Sequence, residues 1–522
     1  MLVSLTVQAA LAFCLIYYFY SIIHAIYFHP LRRIPGPKWW IAFPVLRHIS
    51  AIRGLVDLDI PQFHLKYGPI VRFGRDEVSF IDSEAWKDIY GHNNKHGQLP
   101  KVKNSASNPL DIVSSNDVDH SRYRKSLSHA FSAKGLQAQE PYINNYVDQL
   151  LARLKDVAHS HTPTDMSKWY ELTTFDIVGD LAFGEPFGGL VSSEYHDTVK
   201  TIFESIKLFP FVKMRDDYPI LFSFISLMIP QRLLEAQRQQ NAHTRAAVMK
   251  RLANTSAFNR GDFMDSMTRN RGDKDGLTDD ELVANANILI VAGSETTATL
   301  LAGVTYFLLR NPEALRKVVT EVRSVVQTES DIIPTSSSAN LPYTYMWACI
   351  QEAFRLYPPV PTGLQRVTLE SMLIAGHEIP PGVSSLPLHI TGILLHSHCT
   401  ELILSIKNKT NVSVHPLAAS WSPVNFHAPE RFLPERWLPE ARTDPTSPFF
   451  LDKRDVVQPF SAGPRNCIGR NVAYIEMRLI LTRLLWNFDI GLCEESSAWY
   501  DQRAYTAWEK PPLMCRLTLK EN

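Results

Sequence analysis

A single cysteine near the C-terminus stands in a glycine-rich stretch that suits metal binding or nucleophilic chemistry. Residues 460–470 read FSAGPRNCIGR and precede a helical pattern from Asn471 to Trp486. Glycines allow a tight loop whose backbone N–H groups can turn toward a sulfur, and the positive end of the next helix favours a thiolate. Arg465 adds a positive charge two residues away. These residues predict a thiolate at Cys467, either a nucleophile or a soft metal ligand.

A second set of chemically active residues lies in a long apolar helical pattern. Thr278-Asp-Asp-Glu281 has the form of a capping box, so a helix should begin there and continue to about Arg310. Glu295 and Thr296 stand inside this pattern, where an acid and a hydroxyl are unfavourable unless they are satisfied or used. A threonine can also bond to a carbonyl one turn earlier and make room for water. From these residues alone, a helix-bending Ser/Thr cluster is the alternative.

Two further pairs of charged residues have helical spacing. His120 and Arg124 are four residues apart and share one face of a helix, where a solvated basic face is the alternative. Glu352 and Arg355 are three residues apart and can form an ion pair, although surface pairs of this kind are common and contribute little. Neither pair by itself indicates a reaction.

The composition is that of an ordinary folded protein. Of the 522 residues, 45% are hydrophobic and 20% are charged, and the formal net charge is zero, so the chain has no global attraction to nucleic acid. The six cysteines are widely spaced and form neither a zinc pattern nor a disulfide framework, which suits a reducing compartment. Because no linker or repeat divides the chain, we expect one large domain over residues 31–522.

Residues 1–30 are predicted to anchor the protein in a membrane. The stretch from Leu2 to Phe28 contains no Asp, Glu, Lys or Arg and is long enough to cross a bilayer once as a helix. Arg32 and Arg33 follow it, so the positive-inside rule places the rest of the chain in the cytosol. A cleaved signal peptide is the alternative, but its positive charge would precede the apolar stretch.

In their order and spacing, these motifs resemble the cytochrome P-450 family. The 460–470 stretch matches the family's haem-binding loop, and residues 293–297 (GSETT) match its oxygen-activation segment. Glu352 and Arg355, together with Arg436 in a later Pro-Glu-Arg sequence, match a third family motif. The resemblance covers nearly the whole chain. Residues 169–187 are also similar to a fungal group of secondary metabolism that includes isotrichodermin hydroxylases.

The resemblance implies a mainly α fold with a smaller β-rich part, the cytochrome P-450 fold, behind an N-terminal transmembrane helix. Haem b would lie between the oxygen-activation helix and the Cys467 loop, with the Cys467 thiolate as the axial ligand of its iron. Within the β-rich part, the sequence itself predicts a hairpin over Gly68–Asp82 with its turn near Gly74-Arg75-Asp76.

The family also implies roles for the other candidate residues. Thr296 would hold dioxygen and water, and Glu295 would belong to a proton relay from solvent. Four basic residues would neutralise the haem propionates, namely His120, Arg124, Arg366 and Arg465. Glu352, Arg355 and Arg436 would be structural, locking the scaffold behind the haem.

The implied reaction inserts one atom of O2 into a lipophilic small molecule, as a step of fungal secondary metabolite biosynthesis. The chain has no nicotinamide or flavin fingerprint, so electrons must come from an NADPH-cytochrome P-450 reductase, with cytochrome b5 as a second candidate donor. Arg122, Lys125 and Lys134 could receive such an acidic donor. The family also places the anchor in the endoplasmic reticulum membrane.

Two alternatives remain from the sequence: a haem-thiolate isomerase or dehydratase, and an inactive haem-binding membrane protein. The second follows from residues 385–411, which intervene where the family has a strand leading directly into Ser413-Val-His. They are either a surface insertion or an unspliced intron. The intron is suggested by Val383-Ser384, which can be encoded by the splice-donor sequence GTAAGT. An intron here would disrupt a sheet beside the haem.

Overall fold

The computed structural model describes residues 2–92, 98–104, 107–219, 222–223, 231–254, 260–325, 328–329, 332, 343–368, 370–381 and 409–520. They form two compact units, each built from three stretches of chain. The first unit comprises Met1–Val102, Thr362–Pro429 and Lys453–Arg465, and the second comprises Lys103–Pro361, Glu430–Asp452 and Asn466–Asn522.

Most of the described secondary structure is helical. The helices in chain order are α1 (Leu2–Ile23), α2 (Lys38–Ala42), α3 (Val45–Ile52), α4 (Val56–Tyr67), α5 (Ser83–Tyr90), α6 (Asp117–Ser128), α7 (Ala133–Ser160), α8 (Met166–Phe183), α9 (Gly189–Ser192), α10 (Asp197–Ile206), α11 (Phe209–Asp217), α12 (Gln231–Ala253), α13 (Phe263–Thr268), α14 (Asp279–Arg310), α15 (Pro312–Val325), α16 (Thr344–Leu356), α17 (Pro416–Ser420), α18 (Glu440–Thr443) and α19 (Arg470–Asn487). The strands are β1 (Ile70–Arg72), β2 (Glu77–Phe80), β3 (Thr164–Asp165), β4 (Arg366–Thr368), β5 (Met372–Ile374), β6 (His377–Ile379), β7 (Thr410–Val414), β8 (Phe488–Leu492) and β9 (Met514–Leu519). The mainly helical fold with small sheets agrees with the expectation.

The first unit contains a four-stranded sheet in the order β1-β2-β7-β4. The predicted hairpin is confirmed, because β1 pairs antiparallel with β2 through the turn at residues 73–76. Strand β7 pairs parallel with β2 and antiparallel with β4. The described residues therefore form an intact sheet on both sides of β7, and β7 begins at Thr410, inside the stretch predicted as an insertion.

Helix α14 is the central helix of the second unit and packs along α8. It begins where the sequence predicts: Thr278 accepts a hydrogen bond from the Glu281 N–H, and the Glu281 side chain accepts one from the Thr278 N–H. Helix α14 is long and apolar enough to cross a membrane, but 72% of its apolar window is buried inside the protein, so it is a core helix.

The end of helix α1 and the residues directly after it are bound to other parts of the first unit. Arg75 Nη1 donates to Ser21 Oγ at 2.8 Å, and Arg72 Nη1 donates to the Ala25 carbonyl at 2.9 Å. The apolar stretch Leu15–Phe28 is shorter than a membrane span. The last part of the charge-free segment is therefore bound to the body of the protein.

Candidate active site

The Cys467 loop is shaped by a glycine and by the start of α19. Gly463 has a φ of 73°, and a Cβ there would lie 1.8 Å from the Tyr90 carbonyl oxygen, so a side chain cannot be accommodated. Of the four cysteines whose side chains the structure describes, Cys467 alone is exposed, and all four are free. Among these four cysteines, Cys467 is therefore the one whose sulfur can bind a metal or a ligand from outside the chain.

The surroundings of Cys467 act on the pKa of its thiol in opposite directions. Although Cys467 is exposed on one side, desolvation by the protein packed around the sulfur raises the pKa of the thiol, whereas the N–H groups of Gly469 and Arg470 and the Arg124 guanidinium lower it. The expected N–H donors at the helix start are present, but they do not outweigh desolvation in the chain alone. A bound metal cation would supply the charge that completes stabilisation of the thiolate.

One face of α14 is open to solvent beside the predicted acid and hydroxyl. Ala292 is exposed and Thr296 is partly exposed, whereas Ser294, Glu295 and Thr297 are buried. Thr296 Oγ1 donates to the Ala292 carbonyl at 2.7 Å, which is the predicted bond to the previous turn. The helix therefore presents a hydroxyl and a solvent-accessible carbonyl at one place.

Glu295 points away from Thr296 into a group of buried charges. Lys510 Nζ donates to Glu295 Oε1 and also lies 3.2 Å from Glu171 Oε1. We call Glu171, Glu295 and Lys510 the lysine cluster. The sequence analysis missed Glu171 and Lys510, because Lys510 is 215 residues from Glu295 in a stretch without periodicity.

The four candidate propionate ligands are divided between the units. In the second unit, His120 is buried on α6, and Arg124 donates to the Asn466 carbonyl at 2.7 Å and to its Oδ1 at 2.6 Å. Arg124 is thereby bound to the residue that precedes Cys467. In the first unit, the Arg366 guanidinium lies 5.1 Å from the centre of the Tyr90 ring, and Arg465 is half-buried.

The structure brings the third motif together around one carboxylate. Glu352 accepts hydrogen bonds from Arg355 Nε and Nη2, both at 2.8 Å, and from Arg436 Nε at 3.1 Å. Arg436 also pairs with Asp452. We call Glu352, Arg355, Arg436 and Asp452 the arginine cluster. Burial would raise the pKa of Glu352, but the two arginines hold it below its ordinary value.

The expectation for Arg122 is wrong. Its guanidinium forms ion pairs with Glu281 at the start of α14 and with Asp119, so it is occupied inside the second unit. Lys125 and Lys134 are exposed, as expected. The periodicity that placed Arg122 on the outside could not show that Glu281 lies beside it.

The site therefore combines an exposed cysteine, whose sulfur faces backbone N–H groups before a helix, with an acid and a hydroxyl on the central helix of a mainly helical protein. The Cytochrome P450 family profile matches residues 34–391 and 399–514. The chain therefore belongs to the cytochrome P450 family and is a cytochrome P450 monooxygenase.

Its curated relatives are fungal enzymes of the same length. The chain is 51% identical to Cytochrome P450 monooxygenase olcB of Penicillium canescens over 513 residues, which cover 98% of each chain. It is 48% identical to Trichothecene C-4 hydroxylase of Trichoderma arundinaceum over 99% of this chain and 97% of the relative. Trichothecene C-15 hydroxylase of Fusarium sporotrichioides is 38% identical over 94% of each chain. These relatives place the protein among the P450s of fungal secondary metabolism.

Proposed function

We propose that this monooxygenase hydroxylates an unactivated C–H bond of a lipophilic secondary metabolite, and that Cys467 is the residue that would hold the iron of haem b. The exposed Cys467 at the start of α19 is the observation that carries this proposal. Haem of this kind supplies dioxygen activation when bound. The residues fit such a group, because the sulfur is accessible and backbone N–H groups and a guanidinium already face it.

Four basic residues would neutralise the haem propionates: His120, Arg124, Arg366 and Arg465. Arg124 has the additional task of holding Asn466, and through it the backbone next to Cys467. Replacing Arg124 should therefore disturb the loop as well as a carboxylate contact. Glu352, Arg355 and Arg436 would act only as scaffold, because their side chains are completely buried.

Thr296 and Glu295 would manage the protons of the reaction. The Thr296 hydroxyl is accessible and bonded to the Ala292 carbonyl, so it can rotate to hold a water or substrate oxygen. Glu295 is buried and bonded to Lys510, so it is the acid through which protons from the interior would reach this part of α14.

The test of the reaction is turnover with a fungal reductase, NADPH and isotopically labelled dioxygen. A panel of lipophilic terpenoids that includes a trichothecene should yield a product that carries one labelled oxygen atom. Conversion without uptake of label, or without NADPH, would instead indicate an isomerase or dehydratase.

The electron donor would be NADPH-cytochrome P450 reductase, with cytochrome b5 as an accessory donor. Lys125 and Lys134 are the exposed members of the predicted basic surface and could bind an acidic partner. Exchanging both for glutamate should raise the KM for reductase and leave the haem spectrum unchanged.

The protein would be anchored in the endoplasmic reticulum membrane by the first part of α1. Because Ser21 and Ala25 are bound to Arg75 and Arg72, we place the anchor in the part of α1 that precedes them, from Leu2 to Tyr20. At about 1.5 Å per residue this length nearly matches the roughly 30 Å hydrocarbon core of a bilayer. Phe13, Ile16 and Phe19 are exposed on it, as expected for side chains that face lipid.

Residues 385–411, for which the sequence leaves a surface insertion or an unspliced intron, would be a translated intron. Thr410 Oγ1 donates to the Pro380 carbonyl at 2.9 Å, so the chain leaves and returns at the same place. The stretch before Thr410 could therefore be absent while β7 keeps its pairing with β2 and β4. Sequencing the spliced transcript should show the stretch removed, and the shortened protein should melt at the same temperature as the full chain or higher. A mature transcript that retains the stretch would contradict this.

A further inference from the structure

The lysine cluster contains more acid than base. Glu171 and Glu295 face the single cation of Lys510, and all three side chains are less than one-tenth exposed. Two ionised carboxylates and one ammonium would leave one negative charge uncompensated in a buried site. The cluster is therefore neutral only when one carboxyl group keeps a proton.

Glu171 is the carboxyl that keeps the proton. Burial, opposed by Lys510 and reinforced by Glu295, raises the pKa of Glu171 to about 7. Tyr195 donates a hydrogen bond to Glu171 Oε2, and Tyr357 also faces the cluster. Burial raises the pKa of both phenols, so they remain neutral near pH 7. The pKa of Lys510 is raised by its two carboxyl partners despite burial, so it remains a cation.

A pocket of about 210 Å³ opens onto the cluster. All three members line it, and Lys207 and Glu509, which form a partly exposed ion pair, line it as well. One ordered water needs only about 10–15 Å³ of such space, so the pocket can hold several. Glu295 Oε2 is buried and has no hydrogen-bond partner in the described part of the protein, which leaves it a site for such a water.

We propose that Glu171 and Lys510 form the proton-uptake route of the enzyme, in which Glu171 stores a proton taken from the pocket and passes it to Glu295. The O–H bond of Glu171 breaks, pocket water or the Lys510 ammonium carries the proton, and an O–H bond forms on Glu295. Water then returns a proton to Glu171, and no electron moves. Glu171 and Lys510 act through Glu295, so this inference rests on the proposed role of Glu295.

The first test compares Glu171→Gln with Glu194→Gln in the reconstituted holoenzyme. Glu194 is a carboxyl of the same unit, 71% exposed and paired with Lys168, so it serves as the matched control. E171Q should lower kcat by about 10- to 100-fold with KM unchanged, and should increase the solvent isotope effect on kcat. The activity of the wild type should fall as pH rises above 7, because Glu171 then loses its stored proton. The activity of E171Q should not show this fall.

An infrared titration tests the stored proton without turnover. The wild-type spectrum should contain a protonated-carboxyl band that disappears as pH rises through about 7, when Glu171 ionises. E171Q should lack this band, and E194Q should keep it. Glu476, whose pKa is raised by burial to about 8, should give a separate band that persists in both variants.

The outcomes separate this inference from the proposed function. If E171Q still loses activity above pH 7 and still shows the carboxyl band, Glu171 stores no proton and the inference fails. The monooxygenase assignment then still stands. If wild type itself shows no thiolate-ligated haem spectrum, the proposed function fails first. Glu171→Asp should restore part of kcat, because it restores the carboxyl group; the absence of any rescue would also count against the inference.

Discussion

The arginine cluster and the lysine cluster are both buried groups of charges in the second unit, but their bonding differs. In the arginine cluster, Glu352 and Asp452 balance Arg355 and Arg436, and Glu352 also accepts hydrogen bonds from Trp437 Nε1 at 2.9 Å and the Leu433 N–H at 3.0 Å. In the lysine cluster, two carboxyl groups share one ammonium, and an oxygen of Glu295 has no described partner.

This difference distinguishes a cluster that stabilises the fold from a cluster that can take up and release a proton. A balanced, fully bonded cluster has one protonation state and one geometry, so it rigidifies the protein. An unbalanced cluster beside water has two protonation states close in energy, so it can take up and release a proton near neutral pH. The two clusters are both buried. They differ in the balance of their charges and in their access to solvent.

The largest effect is expected from removing the acid at the centre of the arginine cluster. Glu352→Ala leaves two buried arginines without their shared carboxylate, which should destabilise the protein by about 3–5 kcal/mol. Chemical denaturation followed by circular dichroism measures this change. Glu313→Ala removes an exposed acid from a pair with Arg316 and should leave the unfolding curve nearly unchanged. Equal shifts in the two variants would refute the scaffold role.

A smaller loss of stability and a larger change in chemistry are expected from Lys510→Met. Methionine keeps an unbranched side chain but removes the cation between two carboxyls. Glu171 then loses the cation that lowers its pKa, so its folded-state pKa rises above about 7 and stability should fall as pH increases from about 4.5 to 7 and beyond. Product formed per NADPH should drop about tenfold or more. If Lys510→Met lost the same amount of stability at every pH, the lysine cluster would have a structural role like that of the arginine cluster.

The smallest effect is expected at Glu476, a buried acid on α19 that is bonded to Thr297 and has no cationic partner among the described residues. Burial raises its pKa from 4.5 to about 8. The folded state therefore binds more protons than the unfolded state between these values, and this residue lowers stability as pH rises through that window. Glu476→Gln should flatten the slope, with a gain in stability that appears as pH rises above about 4.5 and is absent at pH 4. A parallel pH dependence in the variant would contradict a neutral Glu476.

The sequence predicts the parts of the site that depend on local patterns. The capping box at Thr278, the hairpin at residues 68–82 and the helix after Cys467 are each determined by neighbours within a few residues, and all three are confirmed. The family resemblance also located Arg436 as the partner of Glu352 across the chain.

What the sequence could not predict depends on distant contacts. Lys510 reaches Glu295 from a C-terminal stretch that has no helical or strand periodicity, and Arg122 is occupied by Glu281, 159 residues away. The raised pKa of Cys467 follows from desolvation, which a motif does not report. The sequence also does not show that the end of the charge-free segment is bound to the body, because Ser21 and Ala25 are uncharged, yet Arg75 and Arg72 bind them.

The most direct test of the account is the carbon monoxide difference spectrum of the reduced, haem-loaded protein, compared with Cys467→Ser and Cys467→Ala. The account predicts the red-shifted absorption band of thiolate-ligated haem in the wild type. That band should be lost in both variants, and each should retain the circular dichroism of a folded helical protein. A wild-type band that persists in either variant would show that Cys467 does not ligate the iron.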